Sequence, residues 1–126
     1  MAKAWDLEPS IFVGMIEEDV GLKIRYIAIQ ILTAIDIAAP VDTGRFRNNN
    51  LVSLQHPDFS ISDNVDPNGT IALQRGIGVI SKAASYGIIY IQNNLPYAES
   101  IEDGHSQQAP TGVYANAFNG VSQIYK

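Results

Sequence analysis

The chain has 126 residues, 46% hydrophobic and 17% charged, enough for one core and too few for two. It contains no cysteine, which excludes disulfides and thiolate metal sites. It also lacks both the run of ~20 apolar residues that spans a membrane and the basic-then-apolar start of an export signal, so it reads as soluble and unexported. Thirteen acidic residues against eight basic ones give a net charge of −5, the wrong sign for a protein that grips nucleic acid by its phosphates.

Residues 1–8 read as a loose start, with Trp5 the one side chain suited to tuck back. Pro9 or Ser10 can open a helix, and from there to Ala38 the pattern predicts a single long one. Val13, Ile16, Val20, Ile24, Ile27, Ile31 and Ile35 step by 3, 4, 4, 3, 4 and 4, one apolar face at helical period. Pro40 ends the helix. A second apolar set, Met15, Leu22, Tyr26 and Ile29, falls on nearly the opposite side, where a surface helix is normally polar. Either the domain wraps both sides of its helix, or one face meets a second subunit. We prefer the second reading, because contiguous exposed apolar surface usually marks a contact.

The segment Val41–Asn50 follows. Asp42 or Thr43 can cap a turn, Gly44 allows a tight backbone, and Arg45 and Arg47 flank Phe46. The arginines are either solvated and paired with nearby acids, or they form an interface with Phe46 as apolar anchor; a phosphate contact is the weaker third option. Leu51–Gln55 is predicted as a strand. Residues 56–69 read as an exposed loop, mobile or ordered only against neighbouring subunits. A calcium loop fails there: with Asn64, Asp66 and Asn68 at positions 1, 3 and 5, position 12 falls on Arg75 where a glutamate is needed. Thr70–Ala83 is predicted helical with Thr70 as cap, although Gly76 and Gly78 each cost about 1 kcal/mol relative to alanine. Gly87–Asn93 is a strand whose natural partner is Leu51–Gln55, with the long helix lying across the pair. The fold class expected is α+β: one domain over 1–126, a long N-terminal helix on a small, mainly antiparallel sheet, with shorter helices.

From Tyr90 to Gly112 almost every residue has a backbone task. Asn93-Asn94 turns the chain, and Pro96 opens a short helix to Glu102 with Tyr97 and Ile101 facing inward. Gly104 caps that helix and Pro110 opens the last one, whose face is Val113, Tyr114, Ala117 and Phe118 up to about Gly120; residues 121–126 form a tail suited to fray.

The phrases Asn93-Asn94-Leu95-Pro96-Tyr97-Ala98 and Glu102-x-Gly104-x-Ser106-x-Gln108-Ala109-Pro110-x-Gly112 follow an upstream Pro40-Val41-Asp42-Thr43-Gly44-Arg45-Phe46-Arg47. In this order they resemble the neck or tail-completion proteins of tailed bacteriophages, over roughly residues 39–118. The resemblance implies a virion protein, assembled in the bacterial cytoplasm, that forms a ring at the head-proximal end of the tail. Its partners would be further copies of itself, six by the tail's symmetry, together with tail-terminator or tail-tube proteins and the head connector. DNA would pass through without specific binding, which suits an acidic wall.

Little in the chain suggests catalysis. Glu102, Asp103 and His105 form the one acid–base cluster, but they lie almost consecutively and cannot converge on one point unaided. Glu102 is better suited to accept backbone donors near Gly104, or an arginine from a neighbour. A small acidic hydrolase or ligand-binding domain using Glu102 and His105 is the alternative reading. The expected function is structural, without enzyme activity, cofactor or metal. The expected interface comprises Asp42, Arg45, Phe46 and Arg47 with Pro96, Tyr97, Glu102 and Gly104, plus the helix face of Met15, Leu22, Tyr26 and Ile29.

Overall fold

The computed structural model describes residues 13–41, 43–84, 87–104, 108 and 112–125, with side chains from Val20 onward. In chain order the elements are α1 (Val13–Ala38), α2 (Arg45–Asn48), β1 (Leu51–Leu54), α3 (Thr70–Ile80), β2 (Ile89–Gln92), α4 (Ala98–Glu102) and α5 (Tyr114–Ile124). The fold is a small α+β arrangement, in which the long helix and shorter helices pack around a two-stranded antiparallel sheet.

The expected pairing of the two strand segments forms. Leu51 stands opposite Gln92, Val52 opposite Ile91, Ser53 opposite Tyr90 and Leu54 opposite Ile89. Alternation along a strand puts Val52, Ile89 and Ile91 on the face toward α1 and α3, and Ser53, Tyr90 and Gln92 on the other.

Two apolar clusters hold the elements together. One joins Ile35 and Ala39 to Phe46, Leu95, Val113 and Ala117; the other joins Ala28 and Leu32 to Ile80, with Ile29 and Val52 packed alongside. The buried apolar side chains of α1 are Val20 and Ile35, from the series read in the sequence, with Ala28 and Leu32 beside them, and Ile24, Ile27 and Ile31 sit half-buried. Gly76 explains why Leu32 is covered. A Cβ there would overlap Leu32 Cδ2 and stand 2.9 Å from Val52 Cγ2, so its bare backbone lets α3 close onto α1 and β1. Gly78, two residues on, has nothing within 4 Å of such a Cβ.

Helix α3 begins at Thr70, but Thr70 does not cap it. Gly69 holds the cap position at φ 77°, and the buried Asp66 accepts from the Ala72 N–H through Oδ2 at 2.8 Å. Helix α5 runs from Tyr114 to Ile124, past the point where a fraying tail was expected, and Pro110, expected to open it, lies outside the described residues. Val121 is buried, and Tyr125 Oη donates to Gln30 Oε1 on α1 at 2.6 Å, which ties this end down.

The loop after β1 does not wait for a neighbour to order it. Asp58 N–H donates to Gln92 Oε1 at 3.0 Å, and Asn94 Nδ2 donates to the carbonyls of Asp58 and Ser60 at 2.7 and 2.9 Å. Asn49 exchanges a pair of bonds with the Ser62 backbone, both 2.9 Å, as a neighbouring strand would. Among the described residues no helix is long and apolar enough to cross a membrane.

Candidate functional site

The Gly44–Asn50 segment serves the chain's own architecture. Gly44 lies at φ 88°, and a Cβ there would come within 2.7 Å of the Asp66 carbonyl carbon, so the turn needs glycine. Phe46 is buried in the α1–α5 cluster and offers no anchor to a partner, which corrects its assignment to the interface. The reason is local: Arg45 opens a one-turn helix, not an open loop, and that turn directs Phe46 inward. Arg45 Nη2 pairs with Asp63 Oδ1 at 3.1 Å and its Nε donates to the Ser62 carbonyl at 3.4 Å. Arg47 Nη1 donates to the Pro67 carbonyl at 2.7 Å. Both arginines thus brace the 62–67 stretch of the same molecule. Asp42 lies outside the described residues.

At the second segment, Pro96 and Tyr97 are exposed and the helix begins at Ala98. Ile101 packs on the core as expected; Tyr97, expected beside it, is 40% exposed. Gly104, at φ 88°, closes α4 by donating its N–H to the Ile101 carbonyl at 3.0 Å, the left-handed cap read from the sequence. Glu102 reaches beyond this turn to α5. Its Oε1 accepts from the N–H groups of Val113 and Tyr114 at 3.1 and 2.7 Å, and its Oε2 from Ala115 at 2.9 Å.

One carboxylate therefore satisfies three of the donors that every helix leaves unpaired at its start, and Val113 at the cap has no side chain able to do so. Burial alone would raise the Glu102 carboxyl, but the three backbone donors outweigh it and hold the group below the usual range. Burial, then the Glu102 charge, pushes the Tyr114 hydroxyl above its ordinary value. Gly112 completes the device. At φ 91°, its Cβ would stand 2.5 Å from the Glu102 carbonyl oxygen.

The two recognised segments do meet, through the side chains of Asn50 and Asn93. Asn50 Oδ1 accepts from Asn93 Nδ2 at 3.1 Å and from Tyr114 Oη at 2.7 Å, and Asn93 Nδ2 also donates to the Phe46 carbonyl at 2.9 Å. Asn49 and Asn50 are nearly inaccessible. Runs of asparagine flanking both strands were the available signal: a buried amide can satisfy backbone where no strand does. Asp36 is buried against Gly69, and burial first, then the charge of Asp66, raises its carboxyl against the opposing pull of Arg47.

On α1 the second apolar face is partly outward. Leu22 and Tyr26 are 55% and 59% exposed, and Ile37, which the sequence reading passed over, is 73% exposed. Ile29 is half-buried and packs beside Leu32 and Ile80. The Met15 side chain lies outside the description, as does His105. A groove of about 600 Å³ opens beside the core, its lining formed by Ile24, Ile27, Ile31, Ile89, Ile91 and Phe118. Among the described residues no three acidic or histidine side chains converge as a metal site. No protein-family model, curated protein or solved structure matches the chain.

Proposed function

We propose that this chain is a structural virion protein of a tailed bacteriophage. It forms a closed ring, of six copies if it follows the tail's symmetry, at the head-proximal end of the tail. There it joins tail-terminator or tail-tube proteins to the head connector and lets DNA pass. It assembles in the host cytoplasm and carries out no catalysis.

The observation that carries this reading is apolar surface left uncovered on both sides of α1. The stripe of Leu22, Tyr26 and Ile37 faces outward, and the isoleucine groove with Phe118 opens beside the core. A chain that exposes this much apolar surface is built to cover it with other protein. The motifs around Gly44–Arg47 and Asn93–Gly112 supply the direction, through their resemblance to neck and tail-completion proteins. Glu102, with both oxygens committed to the start of α5, is poorly placed to serve as a free acid or base. Deleting the gene from the encoding phage tests the reading. DNA-filled heads and finished tails should accumulate unjoined, and recovery of infectious joined particles would overturn it.

A further inference from the structure

The junction of α1, α2 and α3 buries more acid than base. Asp36, in the last turn of α1, is 9% exposed, and Asp66, in the loop before α3, is 2% exposed. Among the described residues, the charges that face Asp36 are Arg47 from α2 and Asp66 from the loop, while α3 brings backbone, at Gly69. A Cβ at Gly69 would overlap both carboxylate oxygens of Asp36, so the bare cap of α3 is what seats that carboxyl.

The two acids differ in how they are satisfied. Asp66 Oδ2 takes the Ala72 N–H at 2.8 Å, whereas Asp36 Oδ1 is buried without a hydrogen-bond partner. Arg47 Nε is buried and unpartnered as well, although Nη1 of the same group donates to the Pro67 carbonyl at 2.7 Å. Each orphan costs free energy, and each is the kind of partner the other lacks.

The proton on Asp36 decides whether they pair. A neutral carboxyl exerts little pull on a guanidinium, and burial favours the neutral form, with the Asp66 charge acting the same way against Arg47. Once ionised, Oδ1 is a bare acceptor in a medium of low dielectric, where a charge-assisted bond from Arg47 is the strongest one open to it.

We infer that Asp36 and Arg47 form an acid-sensitive latch. With Asp36 neutral, the guanidinium holds the Pro67 carbonyl and Nε stays unpaired, the arrangement described above. When Asp36 gives up its proton, Oδ1 draws the Nε–H onto itself. Because Nε and Nη1 belong to one rigid plane, the hold on Pro67 shifts with it, and the 62–67 stretch is braced differently on the two sides of the transition. The latch is a property of the single chain and does not rest on the ring reading.

Nuclear magnetic resonance of the full-length, isotope-labelled protein tests it, following the Asp36 carboxyl carbon and the Arg47 Nε–H as pH is raised. The Asp36 midpoint should lie above the ~3.9 of an ordinary aspartate, and the Arg47 signal should shift with the same midpoint. Asp36→Asn keeps the shape but cannot ionise, and should leave the Arg47 signal flat. Melting temperatures give an independent reading. A carboxyl whose pKa is raised by the fold loses stability as pH rises through its folded value, the opposite of Glu102. Asp36→Asn should therefore gain on the native protein as pH rises from about 4 to 7.

An Arg47 signal that stays put while Asp36 titrates, as a buried water satisfying both atoms would cause, overturns the latch. So does an Asp36 midpoint at or below the ordinary value, an Arg47 shift that survives in Asp36→Asn, or a melting-temperature gap that does not change with pH. Where the variant fails to fold, the titration of the native protein decides alone.

Discussion

Glu102 illustrates how one side chain can set the position of a whole helix. Its carboxylate accepts from three successive backbone donors of α5, and the resulting pKa lies below that of the unfolded chain. The sign of the linkage follows. A depressed carboxyl contributes stability above the unfolded pKa and loses it as pH falls through the folded one. Glu102→Gln should therefore cost about 1–3 kcal/mol at neutral pH. The gap to the native protein should close under acid, as thermal melts across pH 2–7 would record. Arg45 and Arg47 behave differently from the docking residues the sequence suggested. Since each holds a carbonyl of the 62–67 stretch, Arg45→Glu with Arg47→Glu should destabilise by about 1–3 kcal/mol. Limited proteolysis should then cut that stretch faster, while a resistant loop would show that the arginines are not what braces it.

At the scale of elements, α3 offers a controlled comparison, because two glycines of equal helix cost occupy opposite environments. Gly78→Ala meets open space and should stabilise by about 0.5–1 kcal/mol. Gly76→Ala gains the same propensity but drives a methyl into Leu32 and Val52, and should destabilise by about 1–3 kcal/mol. Urea unfolding of the pair checks both signs.

The elements that periodicity and turn chemistry specify were legible in the sequence: α1 to its end before Pro40, the start of α3, the β1–β2 pairing and the Gly104 cap. The side of α1 that is buried was legible in part. Val20 and Ile35 of the apolar series are buried, but Ala28 and Leu32 were missed, since a pattern of hydrophobicity cannot register that Gly76 lets α3 close onto them. The same limit applied to Phe46, whose arginine neighbours suggested surface, and to Asn49, Asn50 and Asn93, whose value lies in partners distant along the chain. On the helix face expected to meet a second subunit, Leu22, Tyr26 and Ile37 are exposed while Ile29 is half-buried, because a residue's neighbours on a helix surface do not say which other element covers it.

For the whole molecule, shape and charge matter more than any single bond. An acidic chain surrounding DNA must let it slide, so the purified protein should show no appreciable affinity for duplex DNA at low salt, where nonspecific attraction is strongest. Tight binding that weakens steeply with salt, read by fluorescence anisotropy, would contradict that expectation. In the proposed ring, the apolar stripe and groove flanking α1 are the surfaces left for contact between subunits. The most direct test of the central claim is a cryo-electron microscopy map of mature particles of the encoding phage, resolved well enough to trace this fold. The account predicts a closed ring of copies at the head-proximal end of the tail, each in head-to-tail contact with the next. A chain absent from the particles, or bound to the outer surface of the capsid, would contradict it.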